Sequence, residues 1–234
     1  GKSTTLYMVL EYLSRRQVNI STVEDPVEQN VPGINQTQVN PVAGLTFESG
    51  LRALLRQDPD IIMVGETRDG ETAGISVRAA ITGHLVLSTL HTNDAVSSVV
   101  RLADMGVDRY LIANSLVGLV AQRLMRKVCP HCAREAAVTP QEQALLGRDI
   151  RTGRRGAGCM HCNGTGYRGR VAVHEIVAVD RSIRRMISRG AEAEEIEAYA
   201  REHQGMKSLR EKGLELVREG VTTPEELLRI AYYA

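Results

Sequence analysis

The sequence predicts an α/β fold, an open parallel sheet with helices on both faces, and three observations carry that reading. Segments that read as strands (Val18–Val23, Ile61–Val64, Leu85–Leu90) alternate with segments of helical periodicity through the first half of the chain. The run Ile61-Ile62-Met63-Val64 is continuously apolar, as a strand covered on both faces must be. Hydrophobic residues make up 43% of the 234 positions and charged residues 24%, which supports a sizeable core and argues against disorder.

Residues 5–16 form the first expected helix, with Leu6, Val9, Leu10 and Leu13 at helical spacing. Val18–Val23 is the first strand, and Glu24-Asp25-Pro26 ends it, because proline cannot continue a hydrogen-bonded ladder. Residues 27–44, punctuated by Pro32-Gly33, Asn40-Pro41 and Gly44, read as irregular with short strand pieces. Residues 46–57 read as a helix, with Thr46 as N-cap and Leu51, Leu54 and Leu55 facing inward. Asp58-Pro59-Asp60 breaks it ahead of the Ile61–Val64 strand. A helix over 69–82, a second buried strand over Leu85–Leu90, and helices at about 93–104 and 108–125 follow. Residues 129–170 are rich in Cys, Gly and Arg. From Asp180 onward the chain reads as helical at 181–189, 193–203, 206–219 and 224–233, the last opening on Thr223-Pro224-Glu225-Glu226.

Composition narrows the function. With 29 basic and 28 acidic residues the net charge is +1, so nothing in the total demands nucleic acid. One Phe and no Trp argue against a surface on which bases stack. No apolar run approaches the roughly 18 residues of a membrane span, and no segment reads as a signal peptide. The chain opens Gly1-Lys2-Ser3-Thr4-Thr5 rather than with Met, so its true N-terminus is expected to lie upstream.

Gly1-Lys2-Ser3-Thr4 matches the end of a G-x-x-x-x-G-K-[ST] loop, which cradles phosphates on backbone N–H groups, places Lys on the β/γ-phosphates and offers a hydroxyl to magnesium. Alone, the tetrapeptide reads more simply as a flexible N-terminal tail, and the helix and motifs downstream decide for the loop. Thr22-Val23-Glu24-Asp25-Pro26-Val27-Glu28 sets carboxylates at a strand's carboxyl end, where ligands of open α/β sheets gather, or forms a solvated acidic turn. Ile61–Val64 delivers Glu66 to the same edge, with Gly65 at the position where Asp usually stands. Such a carboxylate orients water or holds a metal's ligand shell. In Thr82–Asn93, His91 and Thr92 fall at the carboxyl edge, where they could sense a γ-phosphate, and His84 falls at the opposite end, where a structural role is the simpler reading.

These segments, together with Gly44-Leu45-Thr46-Phe47 and Leu51–Asp60, resemble the secretion ATPase family of type II secretion and type IV pilus assembly, in the order of its Asp box, Walker B and His box. The resemblance runs through essentially the whole chain. It implies a RecA-like P-loop core over 1–126, ATP with Mg²⁺, a homo-hexameric ring, and a cytoplasmic place against the inner membrane on platform proteins of the machine. It implies that Gly1, Lys2, Ser3 and Thr4 bind nucleotide, with Ser3 on Mg²⁺. Glu66 would polarise the attacking water, Glu24 would assist near the metal, and His91 would reach the γ-phosphate or a subunit interface. His84 enters as a motif residue without a derived role. Thr67 stands where the family has Ile or Met. Arg68 and Arg78 are expected at the nucleotide or an interface. The phosphate loop is incomplete at its start, which predicts weak turnover by the chain alone. A non-catalytic ring- or partner-binding fragment is the alternative.

Cys129-Pro130-His131-Cys132 and Cys159-Met160-His161-Cys162 are two C-x-x-C knuckles separated by 26 residues, the spacing that supplies a zinc tetrahedron. Two disulfides or a redox pair are the other readings, and His131 or His161 could replace a thiolate. The same family shows this element over 127–170, followed as here by Gly166-Tyr167-Arg168-Gly169-Arg170, and a C-terminal helical region over 171–234. The cysteines favour assembly or secretion ATPases over retraction ATPases, and His174-Glu175-Ile176 leans toward secretion. Arg151, Arg154, Arg155, Arg168 and Arg170 read as a solvated face, or as a contact with a neighbouring subunit or an anionic membrane. A zinc-ribbon nucleic-acid module is opposed by the charge balance and the few aromatics.

Overall fold

The computed structural model describes residues 1–147 and 150–231. In chain order the elements are α1 (Lys2–Ser14), β1 (Ile20–Glu24), β2 (Asn35–Gln38), α2 (Phe47–Leu54), β3 (Ile61–Val64), α3 (Gly70–Ile81), β4 (Leu85–Ser88), α4 (Ser97–Asp104), α5 (Arg109–Ser115), β5 (Gly118–Val128), β6 (Ala133–Ala137), α6 (Pro140–Leu146), β7 (Thr152–Gly156), β8 (Tyr167–Ala178), α7 (Arg181–Arg189), α8 (Ala193–Gln204), α9 (Leu209–Arg218) and α10 (Pro224–Ala231). They form two units from interleaved stretches: Gly1–Thr92, Val96–Leu119 and Ala178–Ala200 in the first, Asn93–Ala95, Val120–Val177 and the chain from Arg201 in the second.

The first unit is the expected α/β layer structure. Its sheet has the order β2-β1-β3-β4, all pairs parallel. β3 shows why its sequence is apolar throughout. Ile61 and Met63 pack with Tyr7 and Leu10 of α1 on one face, while Ile62 and Val64 pack with Leu51, Leu54, Ile75 and Ala79 of α2 and α3 on the other. Each large side chain buried this fully contributes about 1.5–3 kcal/mol. Thr46 caps α2 in a capping box with Ser49, and Asp69 caps α3 through the Thr72 N–H. Farther along, α5 packs on α3 and α7.

Three expectations are corrected here. The strand at 85–90 ends at Ser88 and is the outer strand of the sheet, with its side chains exposed or half-buried rather than enclosed. The first helix begins at Lys2, and Val9 lies on its exposed side. The helix expected over 108–125 stops at Ser115, and the chain becomes the long strand β5, on which Leu119, Ala121 and Met125, at positions an even number apart and so on one face, are buried. The helix expected over 224–233 is present to Ala231; its last two positions lie outside the described residues.

In the second unit β5 pairs with β8, and β6 pairs antiparallel with β7 across α6. Thr139 and Glu142 form a capping box at the start of α6, and buried Glu142 also takes an ion pair from Arg155 at 2.5 Å. The turn Asn93–Ala95 is tied to β8 by the Ala95 N–H, which donates to buried Glu175 at 2.9 Å.

A carboxylate-lined cleft and a four-thiol cluster

Parallel pairing sets Glu24, Gly65 and Thr89 level at the carboxyl edge of the sheet, since Val23 is in register with Val64 and Val64 with Ser88. At that edge a cleft of about 200 Å³ is lined by Lys2, Ser3, Tyr7, Glu24, Glu66 and His91, among others. Lys2 and Ser3 reach it because α1 starts there, with Gly1 as its N-cap. Lys2 Nζ donates to the Leu90 carbonyl at 2.9 Å and Ser3 Oγ donates to Glu28 Oε1 at 3.1 Å. Thr4 is exposed and does not line the cleft.

Glu24 is buried at 3% exposure, and three donors converge on it: Tyr7 Oη, Thr22 Oγ1 at 2.5 Å and Gln36 Nε2 at 3.0 Å. Burial and the bond to Glu24 raise the pKa of Tyr7 above the ordinary phenol value. Glu66 is the more available carboxylate. It is ion-paired with Arg68 and lies 3.4 Å from His91 Nε2. Arg68 holds its pKa below the usual carboxylate range against the opposing effect of burial, and His91 adds to the lowering.

A Cβ on Gly65 would meet the Glu24 backbone at 3.3 Å, so the close approach of β1 favours glycine there and moves the carboxylate one residue on. Thr67 is buried, bonded through Oγ1 to Ser88 Oγ at 2.8 Å and through its N–H to the Thr89 carbonyl at 2.9 Å, which fixes the segment after β3 against β4. His84 stands at the other end of β4, its Nδ1 3.0 Å from the Ala79 carbonyl at the end of α3. Arg78 is exposed on α3 beside Gly74 and does not line the cleft. Tyr7 is a contributor outside every sequence motif, and Glu28 and Thr89, which lie inside two of them without an assigned role, also line the cleft; hydrogen bonding rather than motif spacing recruits Tyr7.

The four cysteines come together in the second unit. Their sulfurs lie within 4.8 Å of one another, with Cys129–Cys159 at 3.9 Å, Cys132–Cys162 at 3.8 Å and Cys159–Cys162 at 3.7 Å. A disulfide needs about 2.05 Å, so all four are free thiols. A tetrahedron with metal–sulfur bonds of about 2.3 Å has edges of about 3.8 Å, and the cluster fits zinc on that measure. Burial opposes ionisation of Cys162, but the N–H groups of Cys159 and Gly166, each 3.2 Å from its sulfur, bring its pKa down to about 6. His131 and His161 stack on each other at 3.9 Å and stand outside the four-sulfur set. Gly156 and Gly166 pass so closely that a Cβ on Gly156 would fall 2.0 Å from the Gly166 carbonyl oxygen.

Tyr167 of the motif after the second knuckle stacks on the Arg126 guanidinium at 4.0 Å, and its hydroxyl is 2.9 Å from Thr223 Oγ1. Arg126 donates from its backbone, Nε and Nη2 to buried Glu226, which Arg229 also reaches at 2.9 Å. The basic residues divide accordingly. Arg154 lies against Gly220 and Arg155 pairs with Glu142, while Arg151, Arg168 and Arg170 are exposed. Burial raises the pKa of Glu226, but its arginine partners lower it more, so the net shift is downward. A depressed carboxylate stabilises the fold above its unfolded pKa of about 4.3, and the contribution is lost as pH falls through the folded value. Glu226→Gln is expected to cost about 2 kcal/mol at pH 7, below the range for fully buried pairs because Arg126 stays partly hydrated. Thermal unfolding from pH 7 to 3 checks this: the gap between parent and variant closes below about pH 4.

The sequence model of the type II/IV secretion system protein family matches residues 1–229. The chain belongs to that family. It is 52% identical over 233 residues to the type IV pilus assembly ATPase PilB of Thermus thermophilus, covering 97% of this chain and 26% of that protein. It is 47% identical over 233 residues to the type II secretion system protein E of Aeromonas hydrophila, covering 98% of this chain and 46% of that one. The chain therefore spans about half or less of the length of these relatives. Among solved structures it superposes on the pilus retraction motor PilT with bound ADP at a TM-score of 0.72 and 27% identity, covering 98% of this chain and 57% of that one. The Legionella pneumophila ATPase DotB has the same fold, with a TM-score of 0.69 at 23% identity, covering 100% of this chain and 57% of that one. Among the described residues no helix is long and apolar enough to cross a membrane.

Proposed function

We propose that the protein carrying this chain binds and hydrolyses ATP, and that this powers assembly of a type II secretion pseudopilus or a type IV pilus. The observation that carries the reading is convergence: Lys2 and Ser3 at the start of α1 share one cleft with Glu24, Glu66 and His91 from three parallel strand ends. Family membership supports it.

The start of α1 brings the positive end of the helix dipole to the cleft, which suits phosphate. Lys2 exchanges the Leu90 carbonyl for the β/γ-phosphates, a stronger charge-assisted bond. Ser3 and Glu24, in the same cleft, offer oxygen ligands suited to Mg²⁺, which when bound would supply charge neutralisation on the phosphates. Glu66, kept ionised by Arg68 and His91, accepts a hydrogen bond from the attacking water and polarises it. His91, with a side chain 75% exposed, reaches the γ-phosphate or a neighbouring subunit. Cys129, Cys132, Cys159 and Cys162 would hold a zinc ion as four thiolates, and the ion's part there would be structural rather than catalytic. In this reading six copies form a ring on the cytoplasmic face of the inner membrane, docked on platform proteins of the machine, without nucleic acid.

Calorimetric titration with Mg·ATP tests the cleft. Lys2→Ala is expected to weaken binding about 10- to 100-fold, the loss of one charge-assisted bond. Unchanged affinity would remove Lys2 from the site.

A further inference from the structure

Charge nearly cancels over the whole chain but not along it. α7 carries Arg181, Arg184, Arg185 and Arg189 and no acidic residue. Its buried side chains are Ile183 and Ile187, so Arg181, Arg184 and Arg185 stand together on the solvent face. Local helix physics opposes this cluster. Arg181 occupies the first turn, where the helix dipole disfavours a cation, and it lies three and four residues from two further cations. Arg189 is ion-paired with Glu195, whereas Arg181, Arg184 and Arg185 have no ion-pair partner among the described residues.

The next segment has the opposite character. Glu192, Glu194, Glu195 and Glu197 fall within six residues at the start of α8, with the first three exposed and no basic residue before Arg201. Among the described residues α7 and α8 share one ion pair, Arg189–Glu195, so most of both charged faces points outward.

We propose that the arginine face of α7 in one copy docks on the acidic start of α8 in a second copy, head to tail. The complementary charge is on the chain itself, which favours a second copy over an unrelated polyanion. Two unlike patches, each repelling its own kind, permit a heterologous contact, the type that closes into a ring when the rotation allows. Exposed ion pairs add little affinity but much selectivity and steering, so this contact sets the register of assembly and weakens in salt. It does not depend on the nucleotide reading, because mass rather than turnover reports it.

Sedimentation velocity of the chain and two variants, R181E/R184E/R185E and E192R/E194R, is the test. Neither variant touches the Arg189–Glu195 pair or the cleft, and circular dichroism verifies that each folds. At low ionic strength the parent associates, with at least about a doubling of weight-average mass, and it dissociates in high salt. Each variant alone stays monomeric, and an equimolar mixture regains association, because each reversed face meets its complement on the other variant. A parent that is monomeric at low ionic strength, variants that associate like the parent, or a mixture that stays monomeric would each overturn the proposal. So would parent-selective binding to anionic lipid vesicles without rescue on mixing, which would assign the arginines to a membrane surface.

Discussion

In the full-length protein that carries this chain, Glu66→Gln is expected to abolish ATP turnover while leaving ATP binding in place. The amide keeps the shape of the side chain and can still accept from Arg68, but it loses the negative charge that polarises water. Loss of a positioned general base reduces kcat by about 10²–10⁴-fold. The substitution is gentle on the fold, because the partner Arg68 has a side chain 63% exposed and is hydrated without it. Melting temperature and the dissociation constant for Mg·ATP should therefore match the parent while phosphate release disappears, the pattern of an interaction made chiefly in the transition state. Glu24→Gln differs: Glu24 is buried under Tyr7, Thr22 and Gln36, so that variant loses stability as well. Turnover that survives Glu66→Gln would exclude its assigned role.

Zinc removal is the second large effect. The cysteines come from two segments that the ion would join, Cys129 to Cys132 and Cys159 to Cys162, and the N–H groups of Cys159 and Gly166 are already aimed at Cys162. Structural zinc contributes about 10–16 kcal/mol in small zinc-finger peptides. Here β6 and β7 also pair by backbone bonds, so only part of that is felt. Even about a third of it, at about 2–4 °C per kcal/mol in a chain of this size, lowers Tm by about 10 °C. Metal analysis should give one zinc per chain in the parent and none in Cys129→Ser/Cys132→Ser, whose 129–166 segment becomes the first site of proteolysis. A variant with the parent's Tm and protease pattern would show that the ion does not hold this region.

Much of the site was legible because its chemistry is tied to strand ends. Ile61–Val64 is too short and too apolar for anything but a covered strand, and a parallel strand delivers the residues after it to the ligand edge, which placed Glu66. Thr46 was legible as a cap because its side chain acts within three residues. The cysteine knuckles were legible because metal geometry restricts spacing. What was missed depends on distant partners. Residues 108–125 satisfy helical and strand periodicity alike, and pairing with β8, some fifty residues away, decides for β5. The apolar run at 85–90 announces a strand, but not that nothing among the described residues pairs with its outer edge. The network of Arg126, Tyr167 and Glu226 joins residues up to 100 positions apart, which no local pattern encodes.

The most direct test of the central claim is a crystal structure of the protein carrying this chain, bound to magnesium and a non-hydrolysable ATP analogue. The predicted result has the phosphates over the start of α1, Lys2 Nζ moved from the Leu90 carbonyl to the phosphate oxygens, and the terminal phosphate facing Glu66 and His91. Nucleotide bound elsewhere, with Lys2 still on Leu90 and Glu66 distant from the terminal phosphate, would contradict it.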